Sequence, residues 1–146
     1  MKKMYTWILA IWLTMATTSV MAQTSRPPAA ITDTFAKMFP TAVNVDWKEK
    51  INNFTVFFNL KDRKCEAKFT KTGGWLSTEE PIALDSLPYP VRDAFKASKY
   101  ADWNETSAYC IRSGEGAPEF HLVVSRSDLG RKILFFSLDG KLLADR

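Results

Sequence analysis

Histidine is nearly missing from this chain: His121 stands alone among 146 residues. A Ser-His-Asp arrangement, or a thiol activated by an imidazole, would have to use it. Its surroundings do not support that use. His121 falls in an alternating stretch, in phase with Val123 and Ser125 and opposite Phe120 and Leu122, and no Gly-x-Ser-x-Gly phrase accompanies it. It reads as a solvated strand histidine. Metal-binding signatures are missing too: there is no Cys-x-x-Cys, no His-Glu-x-x-His and no loop with oxygen ligands at alternating positions. Asp46, Glu49, Glu79 and Glu80 read as scattered strand and loop acids. Gly114 and Gly116 flank Glu115, but no lysine or helix start follows to make a phosphate loop. No catalytic residue, metal or cofactor is expected, and the chain reads as a non-enzyme.

Dense runs of Lys or Arg are also lacking, which speaks against a nucleic-acid footprint. Long apolar runs are lacking as well. The stretch from Tyr5 to Ala16 is mostly apolar but too short to span a bilayer, which takes about 20 residues. It follows Lys2 and Lys3 and precedes a small, polar segment ending in Val20, Met21 and Ala22. A positive head, an apolar middle and small side chains before a cut make a secretion signal. Residues 1–22 are therefore expected to be cleaved, leaving residues 23–146 as one small domain, periplasmic or secreted, with no transmembrane segment. Loss of Lys2 and Lys3 lowers the formal charge from +4 to +2.

Cysteine is scarce: Cys65 and Cys110 are the two present. An exported chain can join them in one disulfide worth a few kcal/mol. Two buried free thiols are the alternative.

What is abundant is apolar patterning. After Pro27 and Pro28, the residues Ile31, Phe35, Met38 and Phe39 mark one helix face, and Pro40 stops the helix. Val43, Val45 and Trp47 then alternate as a strand. Phe54, Val56, Phe58 and Leu60 make a second, and Cys65, Ala67 and Phe69 a third. Gly73 and Gly74 turn the chain into a short return strand beginning at Trp75 and Leu76. The pattern restarts with Pro88 and a helix face of Val91, Ala94 and Phe95. A strand from Trp103 to Ile111 follows, with Tyr109 and Ile111 on one side and Cys110 on the other. Phe120, Leu122 and Val124 form the next, then Leu134 and Phe136, and Asp139-Gly140 turns into a last strand at Leu142 and Leu143.

The two halves match in order. Pro28, Ile31 and Phe35 lie 60 residues before Pro88, Val91 and Phe95. Phe54, Val56 and Phe58 lie 66 before Phe120, Leu122 and Val124, and Ala67, Phe69 and Gly73 lie 67 before Leu134, Phe136 and Gly140. The expected architecture is α+β: a tandem repeat, about 27–82 and 86–146, each unit a helix plus an antiparallel β-meander. The helices pack on one face of the sheet, and the halves share one sheet or core.

Particular phrases carry a resemblance. They are Phe39-Pro40-Thr41-Ala42-Val43-Asn44-Val45-Asp46-Trp47, then Gly73-Gly74-Trp75-Leu76, and the terminal Asp139-Gly140-Lys141-Leu142-Leu143. In these the chain resembles the exported PepSY-like proteins, described as beta-lactamase-inhibitor-like (a BLIP-like fold). The resemblance covers nearly all of 27–146. The second half departs from it, with Lys99-Tyr100 in place of Phe39-Pro40 and Ser107 near the place of Trp47. It implies tandem helix–meander units on one sheet face and a periplasmic or secreted location. It implies no function, because fold does not fix function.

If one side of each meander packs under its helix, Phe57, Val123, Ile133 and Phe135 point away. Apolar side chains on an otherwise wet face mark a binding surface, a covered layer or a homodimer seam. The expected role is a binding or regulatory module that takes another envelope or secreted protein on the open sheet face. Phe57, Val123, Ile133 and Phe135 serve as anchors, with Lys68, His121 and Arg131 as polar rim. The alternative is a sensor or carrier of a small hydrophobic or peptide-like ligand held between the halves. Cys110 shares the outward phase whereas Cys65 points inward, which argues against a simple cross-strand disulfide unless a bulge changes the phase.

Overall fold

A computed structural model of the chain describes residues 26–127 and 130–146. The expected secretion signal, residues 1–22, lies outside the described residues. Helix α1 spans Ala29–Met38 and is followed by strands β1 (Val43–Glu49), β2 (Asn53–Leu60), β3 (Arg63–Thr70) and β4 (Trp75–Ile82). A 3-10 turn over Leu84–Ser86 leads to helix α2 (Tyr89–Lys96), then to β5 (Asn104–Ser113), β6 (Glu119–Arg126), β7 (Gly130–Ser137) and β8 (Leu142–Asp145). The strands form one eight-stranded antiparallel sheet whose spatial order is their sequence order.

Both helices start the same way. Pro28 and Pro88 cannot donate, but their carbonyls accept from Ile31 and Thr32 and from Val91 and Arg92, respectively. Proline costs nothing there because the first N–H groups of a helix have no intrahelical partner. Ile31 and Phe35 of α1 bury against Phe54, Val56, Phe58, Cys65, Ala67 and Phe69. Phe35 is the hub of this core, with edge-on ring contacts to Phe58 at 5.1 Å and Trp47 at 5.3 Å. Each such contact adds about 0.5–1.5 kcal/mol to the area it buries. Val91 and Phe95 of α2 bury against Ala108, Cys110, Phe120, Leu122, Val124, Leu134 and Phe136.

The register puts both cores on one side of the sheet. Residues directly opposite one another share a face, and Phe58 pairs with Cys65, Ala67 with Thr78, Thr78 with Arg112, Cys110 with Phe120 and Phe120 with Phe136. Two glycines let the helices approach. A Cβ on Gly73 (φ +97°) would stand 2.9 Å from the Ala30 carbonyl oxygen, and one on Gly140 (φ +86°) would stand well inside contact distance of the Pro90 carbonyl.

Two sequence expectations need correction, and the state of the cysteines, left between two alternatives, is the third point. Cys110 does not face outward: it lies in the α2 core, and Tyr109 and Ile111 take the open side. A bulge between Glu105 and Ser107 resets the phase of β5, and cysteine is among the most readily buried residues. Cys65 and Cys110 are free thiols, not a disulfide. They share a face, but β4 runs between β3 and β5, so about 9–10 Å separates their strands where a bridge needs roughly 4.4–6.8 Å between Cα atoms. Finally, β1 does not alternate simply. Asn44 adopts φ 55° at a bulge between Val43 and Asp46, leaving Val43 and Val45 exposed while Trp47 packs on the α1 core.

Candidate functional site

With both helices on one side, the other face of the sheet is built from the alternate residues. One row crosses it as Asp46, Phe57, Glu66, Glu79, Ile111, Glu119 and Ser137. The next crosses as Pro81, Tyr109, His121, Phe135 and Ala144. Phe57 is 36% exposed and belongs to neither core. Phe135 and Ile133 are half-buried. The face therefore has an apolar part on β5–β7 and a separate aromatic on β2, with the charged strands β3 and β4 between them.

All seven residues expected at a partner surface lie on this face, but they are not one cluster. Val123, Ile133, Phe135 and His121 are neighbours on β6 and β7, while Phe57 stands across Glu66 and Glu79. Lys68 is paired with Glu66 at 3.3 Å. Arg131 is exposed, opposite Ser125 at one end of the face. Val123 cannot serve as a contact anchor, being 2% exposed. It stands opposite Ile133 and beside the β5 bulge, where the Thr106 hydroxyl donates to the Val123 carbonyl at 3.0 Å.

Residues that sequence reasoning did not place here are Tyr109, Ile111, Glu66 and Glu79. Glu66 and Glu79 are directly opposed across β3 and β4, a like-charge pairing that costs stability. Burial first, and Glu66 second, push the Glu79 carboxyl above its ordinary range. A depression of about 360 Å³ lies beside them, lined among others by Phe57, Asn59, Lys64 and Tyr109.

His121 Nδ1 lies 3.6 Å from Glu79 Oε2, too far for a hydrogen bond, and its ring packs edge-on against Phe135 at 4.3 Å. Burial, then the charges of Lys68 and Arg146, lower its pKa from 6.5 to about 4. It is therefore a neutral imidazole at pH 7. Cys65 and Cys110 lie on the far side of the sheet from it, so no thiol–imidazole pair forms. Burial raises both thiols, which keeps them protonated. Among the described residues no group of three His, Cys, Asp or Glu stands together as a metal site.

The helix-bearing face holds a second feature. β4 is longer than its sequence start suggested and carries Glu80 inward, only 9% exposed. Pro81 is tolerated because the β3–β4 ladder stops at Glu66 and Glu79, before proline's missing donor would be needed. Glu80 accepts a hydrogen bond from Arg112 Nη1, and Arg63 Nη1 is 3.6 Å from its other oxygen. Beside it is a crevice of about 290 Å³, between the end of α1 and strands β2 to β5.

A BLIP-like protein from Bacteroides fragilis superposes with a TM-score of 0.71 at 27% identity, covering 83% of this chain and 86% of that one. The fold is BLIP-like. A DUF2874 family protein from Bacteroides ovatus superposes at TM-score 0.75 and 25% identity, over 83% of this chain and 87% of that one. A protein described as periplasmic from Bacteroides eggerthii matches at TM-score 0.77 and 21% identity, over 83% and 88%, which shows the fold alone. No family model and no curated protein matches the chain. Among the described residues of this BLIP-like chain, no helix is long and apolar enough to cross a membrane.

Proposed function

We propose that this chain is an exported, non-enzymatic binding module of the cell envelope that captures a protein partner on the uncovered face of its sheet. Export follows from the three-part signal in residues 1–22. The periplasmic description of a fold neighbour supports the same location. In this reading the two helix–meander units are a tandem repeat. The matched proline starts and the matched helix–glycine contacts of Gly73 with Ala30 and Gly140 with Pro90 support that origin.

The observation that carries the binding reading is the split composition of the open face. An eight-stranded sheet with one solvated side ordinarily shows polar residues there. Here Phe57, Tyr109, Ile111, Ile133 and Phe135 stand on that side, flanked by Glu66, Lys68 and Glu79. Aromatic anchors within a charged surround are the composition of protein-binding surfaces.

The test is photocrosslinking in the native envelope, with the reactive side chain placed at position 57 or 135, or at Arg92 on α2 as a control. Crosslinks to a distinct protein from 57 and 135, absent from position 92, are expected. They should disappear in the Phe57→Ser, Phe135→Ser double variant, which should remain folded by circular dichroism. Crosslinks confined to a second copy of the chain would replace this reading with self-association. Global unfolding of the double variant would show that these rings are core residues.

A further inference from the structure

The most informative group outside the open face is Glu80. It lies on the helix-bearing face beside the α1 core, nine-tenths buried. A buried ion pair is often no more stabilising than well-packed apolar side chains of the same volume, so the fold alone gives little reason for a carboxylate here. What Glu80 does is hold two guanidiniums. Arg112 donates to one oxygen and Arg63 flanks the other, and both remain open to solvent, their side chains 60% and 43% exposed. The three groups carry a net charge of +1. Each guanidinium has five N–H donors, and each contact with Glu80 is made through a single nitrogen, so donors are left over.

The wall beside these cations is apolar. Met38 and Phe39 at the end of α1, Leu60 of β2 and Trp75 of β4 line the crevice that Glu80 and Arg112 complete. The Trp75 indole is held in place by donating from Nε1 to Thr78 Oγ1 at 2.9 Å. An oily slot ending in an excess positive charge complements a molecule with an apolar chain and one negative head. A carboxylate matches on both counts: it carries a single charge, and its two oxygens fit the planar guanidinium fork. A phosphate monoester carries nearly two charges.

We propose that this crevice binds a small amphiphilic carboxylate. The apolar chain lies along Met38, Phe39, Leu60 and Trp75, the carboxylate meets Arg112 with Arg63 beside it, and Glu80 acts as the positioning residue for both arginines. This site goes beyond protein capture on the open face and is independent of it, because the two lie on opposite sides of the sheet.

The experiment uses decanoate as the probe, titrated into the mature protein by calorimetry and by NMR of the tryptophan indole N–H signals. The mature chain has three tryptophans, Trp47, Trp75 and Trp103. Decanoate should shift Trp75 and leave Trp103, in the other core, unmoved. Decanol, which lacks the charge, and acetate, which lacks the chain, should each bind about tenfold or more weakly than decanoate. Arg112→Gln should lower decanoate affinity by about tenfold, while Phe57→Ser, on the other face, should leave it unchanged. An unmoved Trp75 signal, decanol binding as tightly as decanoate, or unaltered affinity in Arg112→Gln would overturn the proposal. Tighter binding of decyl phosphate would overturn the carboxylate assignment. Should Arg112→Gln fail to fold, Met38→Glu at the exposed rim brings a like charge to the mouth. It should cause a similar loss, and full affinity in that variant would also refute the site.

Discussion

Lowering the pH from 7 to 4 should weaken the fold through His121. This side chain leaves β6 on the open face. The charged and titratable groups around it are Lys68 from β3, Glu79 from β4, Tyr109 from β5 and Arg146 just after β8, with the Phe135 ring of β7 against it. Burial and the two cations depress its pKa from 6.5 to about 4. In the unfolded chain the ring takes up a proton near pH 6.5, and in the folded chain only near 4. The contribution of His121 is therefore complete above pH 6.5 and is lost progressively as pH falls through that window. A difference of about 2.5 pH units at 1.36 kcal/mol each gives a loss of about 3 kcal/mol. Glu79 works the other way, because its raised pKa lets the folded state hold a proton more readily than the unfolded chain. The clean comparison is urea unfolding of wild type against His121→Gln at pH 7, 5.5 and 4.5, where the variant should lack the histidine part of the slope. Because the sequence has one histidine, NMR titration of its ring in untagged protein reads the midpoint directly. A midpoint near 6.5, or parallel pH profiles for the two proteins, would refute the reasoning.

The glycine and thiol predictions are more local. Gly140→Ala combines a left-handed backbone with a clash against the Pro90 carbonyl. It should cost about 3 kcal/mol, a drop in Tm on the order of 10 °C. Gly116→Ala, with positive φ but open space around it, should cost about 1 kcal/mol, and equal losses in a melting assay would contradict the helix-contact argument. Alkylation without reductant should add two adducts after denaturation and react slowly in the native state, since both thiols are buried; a mass showing no adducts would mean that the cysteines are joined. Phe136→Ala removes a fully buried ring from the α2 core and should cost about 3–5 kcal/mol by chemical denaturation.

Much of the architecture was readable because burial on one side of a strand imposes a period of two. Phe54, Val56 and Phe58, or Phe120, Leu122 and Val124, place their strands without knowledge of any partner. Ile31 with Phe35 and Val91 with Phe95 do the same for the helices at their longer spacing. Reading failed where a bulge reset the alternation. On β5, Tyr109 and Ile111 were the expected inward set, yet the shift after Glu105 sends Cys110 and Arg112 inward. On β1, Asn44 turns Val43 and Val45 toward solvent. The open face was legible as single outward residues but not as a surface, because its separation into an aromatic on β2 and an apolar group on β5–β7 depends on strand order. Glu80 and Arg112 lie 32 residues apart, and nothing local in either segment announces their contact.

The unbroken strand order has a consequence for how the molecule comes into being. Every hydrogen-bonded ladder joins segments adjacent in the chain, so no pairing waits for a distant stretch to arrive, and such local connectivity favours fast folding. A polypeptide that becomes available from its N-terminal end can lay down α1 and β1–β4 with their own oily interior before the remainder has arrived. β4 then serves as the template on which β5 adds.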